Sequence, residues 1–242
     1  IMIGFLDTGI DYQNRVFRNL DGTTRIVGIW DQTIQTGRTP QGLYYGTEYT
    51  EEMINAALRS EDPLQIVPSV DTDGHGTFVA SAAAGGAEVG KRFLGAAPEA
   101  SIAMVKLKPA KNYLKEFFVI AQDAVCYQEN DIMLGLRYLN DLARKQGMPL
   151  VICVALGTSF GGHNGDSLLA DILDIYATVR NRCVVVGTGN EAARRHHYFN
   201  RFTDAQDMRT AEIRVGEGTQ SFAVELWSTL PNIVMVSVTS PS

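Results

Sequence analysis

Four short apolar runs, at residues 2–6, 102–107, 150–156 and 183–187, recur along the chain with helical patterns between them. Their β-branched and nearly continuous apolar character suits strands buried on both faces. Alternation of such strands with helices predicts a parallel sheet with helices on both of its faces, an α/β fold in three layers. At 242 residues and 45% hydrophobic, the chain is long enough to bury one substantial core.

The intervening helices are legible by their stripes. Residues 131–146 place Ile132, Leu136, Leu139 and Ala143 on one face, and Gly147 with Pro149 stops the pattern. Residues 167–180 repeat the device with Leu168, Ile172, Ile175, Tyr176 and Val179. A helix opened by His75 is rich in alanine, small enough to lie close to a sheet. Residues 32–70 carry turn residues, tyrosines and a short helix at 50–59, and read as a surface excursion without a core strand. After Asn200 three runs, 211–215, 222–227 and 233–238, alternate without helices between them, which predicts antiparallel β structure. The expected division is therefore residues 1–200 as an α/β domain and 201–242 as a β-rich segment.

Net charge is −6 with no long block of either sign, so neither nucleic acid nor an anionic membrane surface is expected as a partner. No apolar stretch reaches the roughly 20 residues of a membrane helix. Cys126, Cys153 and Cys183 are expected to be reduced and structural. No metal or organic cofactor is expected, because no Cys or His pair has ligand spacing beyond adjacent His196 and His197. The chain opens inside a core strand, and both ends are expected to be boundaries cut within a longer protein.

Three motifs carry chemistry. Asp7-Thr8-Gly9 closes the first strand, putting a carboxylate where open α/β sheets gather their active sites. An aspartic-protease reading of that motif needs a second copy, and Asp71-Thr72 continues into Asp73 instead. His75 stands between Gly74 and Gly76 at a helix start, free of bulky neighbours and suited to act as a general base near neutral pH. Thr188-Gly189-Asn190-Glu191 follows the last strand of the α/β pattern.

With these residues in that order, the chain resembles the N-terminal and central part of a subtilisin-like (S8, subtilase) serine protease. Ala155-Leu156-Gly157 is similar to the family's Ser-Leu-Gly segment, and Gly95-Ala96-Ala97-Pro98 to its Gly-Val-Ala-Pro stretch. The resemblance implies that Asp7 orients the imidazole, that His75 is the base and that Asn190 donates to the oxyanion. It also implies that Ala155, Leu156 and Gly157 pair with substrate backbone as an added strand. The departures are Ala155 for serine, Thr188 for alanine, and a longer stretch from Asp7 to His75 than in short bacterial subtilisins. That stretch, with a β-rich segment after Asn190, is reminiscent of the clostridial Csp proteases of spore germination.

The family's nucleophile motif, Gly-Thr-Ser-x-Ala, is not found after Asn190. Gly157-Thr158-Ser159-Phe160 mimics it but precedes Asn190, so Ser159 is expected to be a loop residue of the cleft. Two functions follow as expectations. One is a serine endopeptidase represented by a fragment that is inactive alone; the other is a pseudoprotease or binding scaffold. The implied partners are a protein or peptide substrate and the chain's own C-terminal portion or prodomain; the family is usually secreted or spore-associated.

Overall fold

The structure, a computed structural model, describes residues 1–240 apart from Val89, Lys91 and Gln220. Strands β1 (Met2–Asp7), β2 (Ile26–Asp31), β3 (Thr47–Thr50), β4 (Ser101–Lys106), β5 (Leu150–Val154) and β6 (Arg182–Val186) build one sheet among the described residues. Their order is β3-β2-β4-β1-β5-β6. All neighbours are parallel except β3, which runs antiparallel to β2. The strand that comes first in the chain is therefore interior, hydrogen-bonded to β4 on one side and β5 on the other.

Side chains alternate across each strand, and the alternation sorts two cores. Met2 and Leu6 of β1, with Ala103, Val105, Leu150 and Ile152, face the helices α4 (Glu129–Lys145) and α5 (Leu168–Thr178). Ile3 and Phe5, with Ile29, Ile102 and Met104, face α1 (Glu51–Leu58) and α2 (His75–Ala84). The sixth and last residue of β1, Asp7, belongs by parity to the second face. The strand pattern thus aims its carboxylate at α2.

Helix α4 buries Ile132, Leu136, Leu139 and Ala143, as its stripe predicts. Glu129 and Asp131 in its first turn and Arg144 and Lys145 in its last complement the helix dipole. Gly147, at φ 64°, ends it, with Met148 N donating to Ala143 O at 3.0 Å.

Two sequence expectations are corrected. Residues 32–70 are more than a surface excursion: they supply β3 and α1, and Tyr49, Ile54, Ala57 and Val67 are buried in the second core. Their anchor, β2, is itself fully buried, yet Gly28 interrupts its apolar run. The interruption is a packing requirement, since a Cβ at Gly28 would lie 2.7 Å from the Tyr138 hydroxyl and 3.0 Å from Leu142 Cδ2 of α4. The three runs after Asn200 form no strand among the described residues, and most of their side chains are exposed. Alternation sets which side chains share a face, but a strand also needs an edge to pair with, and none lies beside them.

At the other end of the sheet, β6 has α5 on one face only. Cys183 and Val185, in register with Val151 and Cys153, point to the α1/α2 side, where no helix among the described residues covers them; Val185 is 52% exposed. Helix α3 (Asn112–Phe117) lies in the connection from β4 to α4.

Candidate active site

Asp7 ends β1 opposite Lys106 of β4, its side chain only 1% exposed. Its Oδ1 accepts a hydrogen bond from the Thr8 backbone N–H at 2.7 Å. His75 is the first residue of α2, entered through Gly74 at φ 89°. Its Nδ1 lies 2.7 Å from Asp7 Oδ1, which makes Nδ1 the protonated nitrogen and leaves Nε2 as the ring's open lone pair. The His75 side chain is 44% exposed, so that lone pair is available to a reactant. The hydrogen bond to Asp7 raises the His75 pKa above its ordinary 6.5, against an opposing effect of burial, and the charges of Asp7, Asp73 and Asp71 add to the rise.

This contact requires α2 to start almost on top of the turn after β1. Gly76 makes that approach achievable, because a Cβ there would sit 2.2 Å from Gly9 O and 3.1 Å from Asp7 Cβ. Around the pair, Thr8 Oγ1 accepts from Gly76 N at 2.8 Å and donates to Asp71 Oδ1 at 2.8 Å. Asp71 also accepts from Gly74 N at 2.9 Å and from Thr77 N and Oγ1 at 2.8 and 2.7 Å. Burial pushes the Asp71 pKa up, but these hydrogen bonds from Thr77, Gly74 and Thr8 outweigh it and hold the carboxyl below its ordinary value.

Ala155, Leu156 and Gly157 leave the carboxyl end of β5, and Asn190 lies on a bend after β6. Gly187 N donates to Val154 O at 3.0 Å, extending the β5–β6 pairing toward both loops. The loops then touch: a Cβ on Gly157 would be 3.6 Å from Gly189 Cα. All six residues singled out by sequence therefore lie at the carboxyl ends of parallel strands, the position at which α/β sheets bind ligands. Direct contact joins Asp7 to His75. Asn190 is exposed and makes no hydrogen bond to either. Ser159 is exposed in the loop after β5, and its carbonyl accepts from His163 Nε2 at 3.2 Å; its hydroxyl is not bonded to His75.

Sequence reading missed Tyr127. Its phenol is pushed up to about 12, by burial first and then by the charges of Asp7, Asp73 and Asp71, and the ring packs against the core on the α4 side of the sheet. It is reached through an isolated bridge with Pro109, in a connection with no periodic signal. Among the described residues, no group of three or more His, Cys, Asp and Glu side chains is arranged to hold a metal ion.

The Subtilase family model matches residues 1–220. A solved structure of the Clostridium perfringens CspB protease is similar at 36% identity and a TM-score of 0.67, over 80% of this chain and 37% of that one. A structure described as S41 psychrophilic protease has 22% identity and a TM-score of 0.48, over 78% of this chain and 46% of that one. The chain thus spans 37% of the length of the CspB protease chain. A comparison with curated proteins gave no match.

Proposed function

This chain belongs to the subtilase family of serine proteases, and from that premise we propose that it carries the acid and base of an endopeptidase whose nucleophilic serine lies outside residues 1–242. The observation that carries the proposal is the 2.7 Å bond from a half-exposed His75 to a buried Asp7 at the carboxyl ends of the sheet.

The chemistry is acyl transfer. As the serine oxygen attacks the peptide carbonyl, its proton passes to His75 Nε2 and the carbonyl oxygen becomes an alkoxide. Asp7 stabilises the imidazolium and keeps Nδ1 protonated. His75 then gives the proton to the leaving amine, and water, deprotonated by the same nitrogen, hydrolyses the acyl-enzyme. Asn190 donates to the alkoxide, a contact worth about 3 kcal/mol on a scale that comes from subtilisin itself. The backbone of Ala155, Leu156 and Gly157 holds the substrate as an added strand.

Residues 1–200 are in this reading a partial catalytic domain, and 201–242 belong to a separate segment inserted after it. The bare face of β6 supports the view that further chain packs there, as does the 37% share of the CspB protease that this chain spans. The substrate is a protein or peptide, and no cofactor takes part.

Intact mass after treatment with a serine-directed fluorophosphonate tests the reading. The 242-residue chain is expected to stay unlabelled, and a longer protein that includes downstream sequence to gain one adduct, lost in His75→Ala. An adduct on Ser159 would overturn the assignment of the nucleophile. A folded longer protein that takes no label would leave the fold as a non-catalytic scaffold.

A further inference from the structure

We propose that Asp71 is a positioning residue, whose carboxylate locks the start of α2 onto the turn after β1 and so sets His75 against Asp7. The proposal deepens the acid–base reading above and rests on it.

The four donors that converge on Asp71 come from two separate pieces of chain. Thr8, adjacent to Asp7, donates its hydroxyl to Oδ1, which also receives Gly74 N; Thr77 gives both its N–H and its hydroxyl to Oδ2. One contact is therefore next to the acid, and the others stand on either side of the base. A hydroxyl has one proton to give, and both threonines spend it on Asp71. Their lone pairs are then free to accept: Thr8 Oγ1 receives Gly76 N at 2.8 Å, and Thr77 Oγ1 receives Asp11 N at 2.9 Å. Each relay crosses from the β1 turn to α2, so the two strap the elements together on both sides of the Asp7–His75 bond.

Only an ionised carboxylate can fill this place. Both oxygens face two donors each, so an asparagine would turn its NH₂ toward N–H or O–H groups whichever way the amide is flipped. Asp73 is the natural contrast. Among the described residues it accepts only from His75 N, at 3.2 Å, and its charge acts on His75 at least as strongly as that of Asp71. Removing the Asp73 charge therefore reproduces the field effect without cutting the strap.

The test is NMR of the His75 imidazole in this chain, following the downfield Nδ1–H resonance and the titration midpoint, with thermal unfolding alongside. Asp73→Asn is expected to keep the resonance and lower the midpoint modestly. Asp71→Asn is expected to lose the resonance and lower the midpoint further. Thr8→Val cuts the strap from the β1 side, removing the acceptor of Gly76 N but leaving the bonds of Asp71 to Gly74 and Thr77, and is expected to act like Asp71→Asn. Thr8→Ser should restore wild-type behaviour. Should Asp71→Asn fail to fold, the two Thr8 variants decide the matter. The proposal is overturned if Asp71→Asn or Thr8→Val keeps the resonance and shifts the midpoint no more than Asp73→Asn. Asp7→Asn separates the two readings: if it too leaves His75 unmoved, the acid–base reading falls and takes this one with it.

Discussion

Gly76 and Gly9 pass so closely that a Cβ on the first would stand 2.2 Å from the carbonyl oxygen of the second. The obstacle is backbone rather than a flexible side-chain tip, so it cannot step aside. Gly76→Ala must displace α2 from the turn after β1, at a cost of about 1–3 kcal/mol, the usual range for overpacking. Urea unfolding should record that loss, and the His75 Nδ1–H resonance should vanish with it. A variant of unchanged stability and spectrum would mean the two backbones are not in contact.

His75 is expected to titrate above 6.5 in the folded chain, chiefly because of its hydrogen bond to Asp7. The group binds its proton more tightly folded than unfolded, so its stabilising contribution is full below pH 6.5 and disappears as pH rises through the folded value. Imidazole NMR and thermal midpoints measured against pH check both. Asp7→Asn should bring the midpoint down toward 6.5.

Asp71 has the opposite sign. Burial works against its charge, but the hydrogen bonds from Thr77, Gly74 and Thr8 prevail and its pKa falls below the ordinary carboxylate value. Its contribution is present above that ordinary value and is lost as pH falls through the folded one. Acid unfolding followed by circular dichroism should therefore lose part of its acid limb in Asp71→Ala.

The cysteines should separate by reactivity. Cys183 lies exposed on the uncovered face of β6, whereas the Cys153 thiol is raised by burial and then by the charge of Asp7. Iodoacetamide at neutral pH should modify Cys183 well before Cys153, as peptide mapping over time would reveal. In a longer protein that covers β6, Cys183 should become protected.

In a longer, active protein, Asn190→Ala is expected to lower kcat by about 10²–10³-fold with little change in KM, the pattern of a contact made only to the alkoxide. Steady-state kinetics on a peptide substrate would measure it. A matching rise in KM would instead assign Asn190 to ground-state binding.

Much of this was legible in the sequence because the signals were local. The β-branched runs of β1, β4, β5 and β6 and the stripe of α4 predicted the layers, and the glycines around His75 marked the histidine that meets Asp7. What stayed hidden depended on partners far along the chain. β2 stayed hidden because Gly28 splits its apolar run, leaving the space that Tyr138 and Leu142 need. Asp71 reads as one of two acids before a histidine until Thr8, 63 residues away, is found bonded to it. The runs after Asn200 err the other way, since alternation cannot report whether a neighbouring edge exists. Ser159 was correctly read as a loop residue because the order of elements, rather than the three-letter match, governed the inference.

The interior position of β1 has a kinetic consequence. It precedes both its neighbours in the chain and pairs with strands that begin at Ser101 and Leu150. Long loops must therefore close before its ladder forms, an entropic toll that slows folding of high contact order. During synthesis Asp7 waits, unpaired, until β4 and β5 have emerged to enclose it. Asp7 and His75 consequently meet late, once β4 has closed against β1.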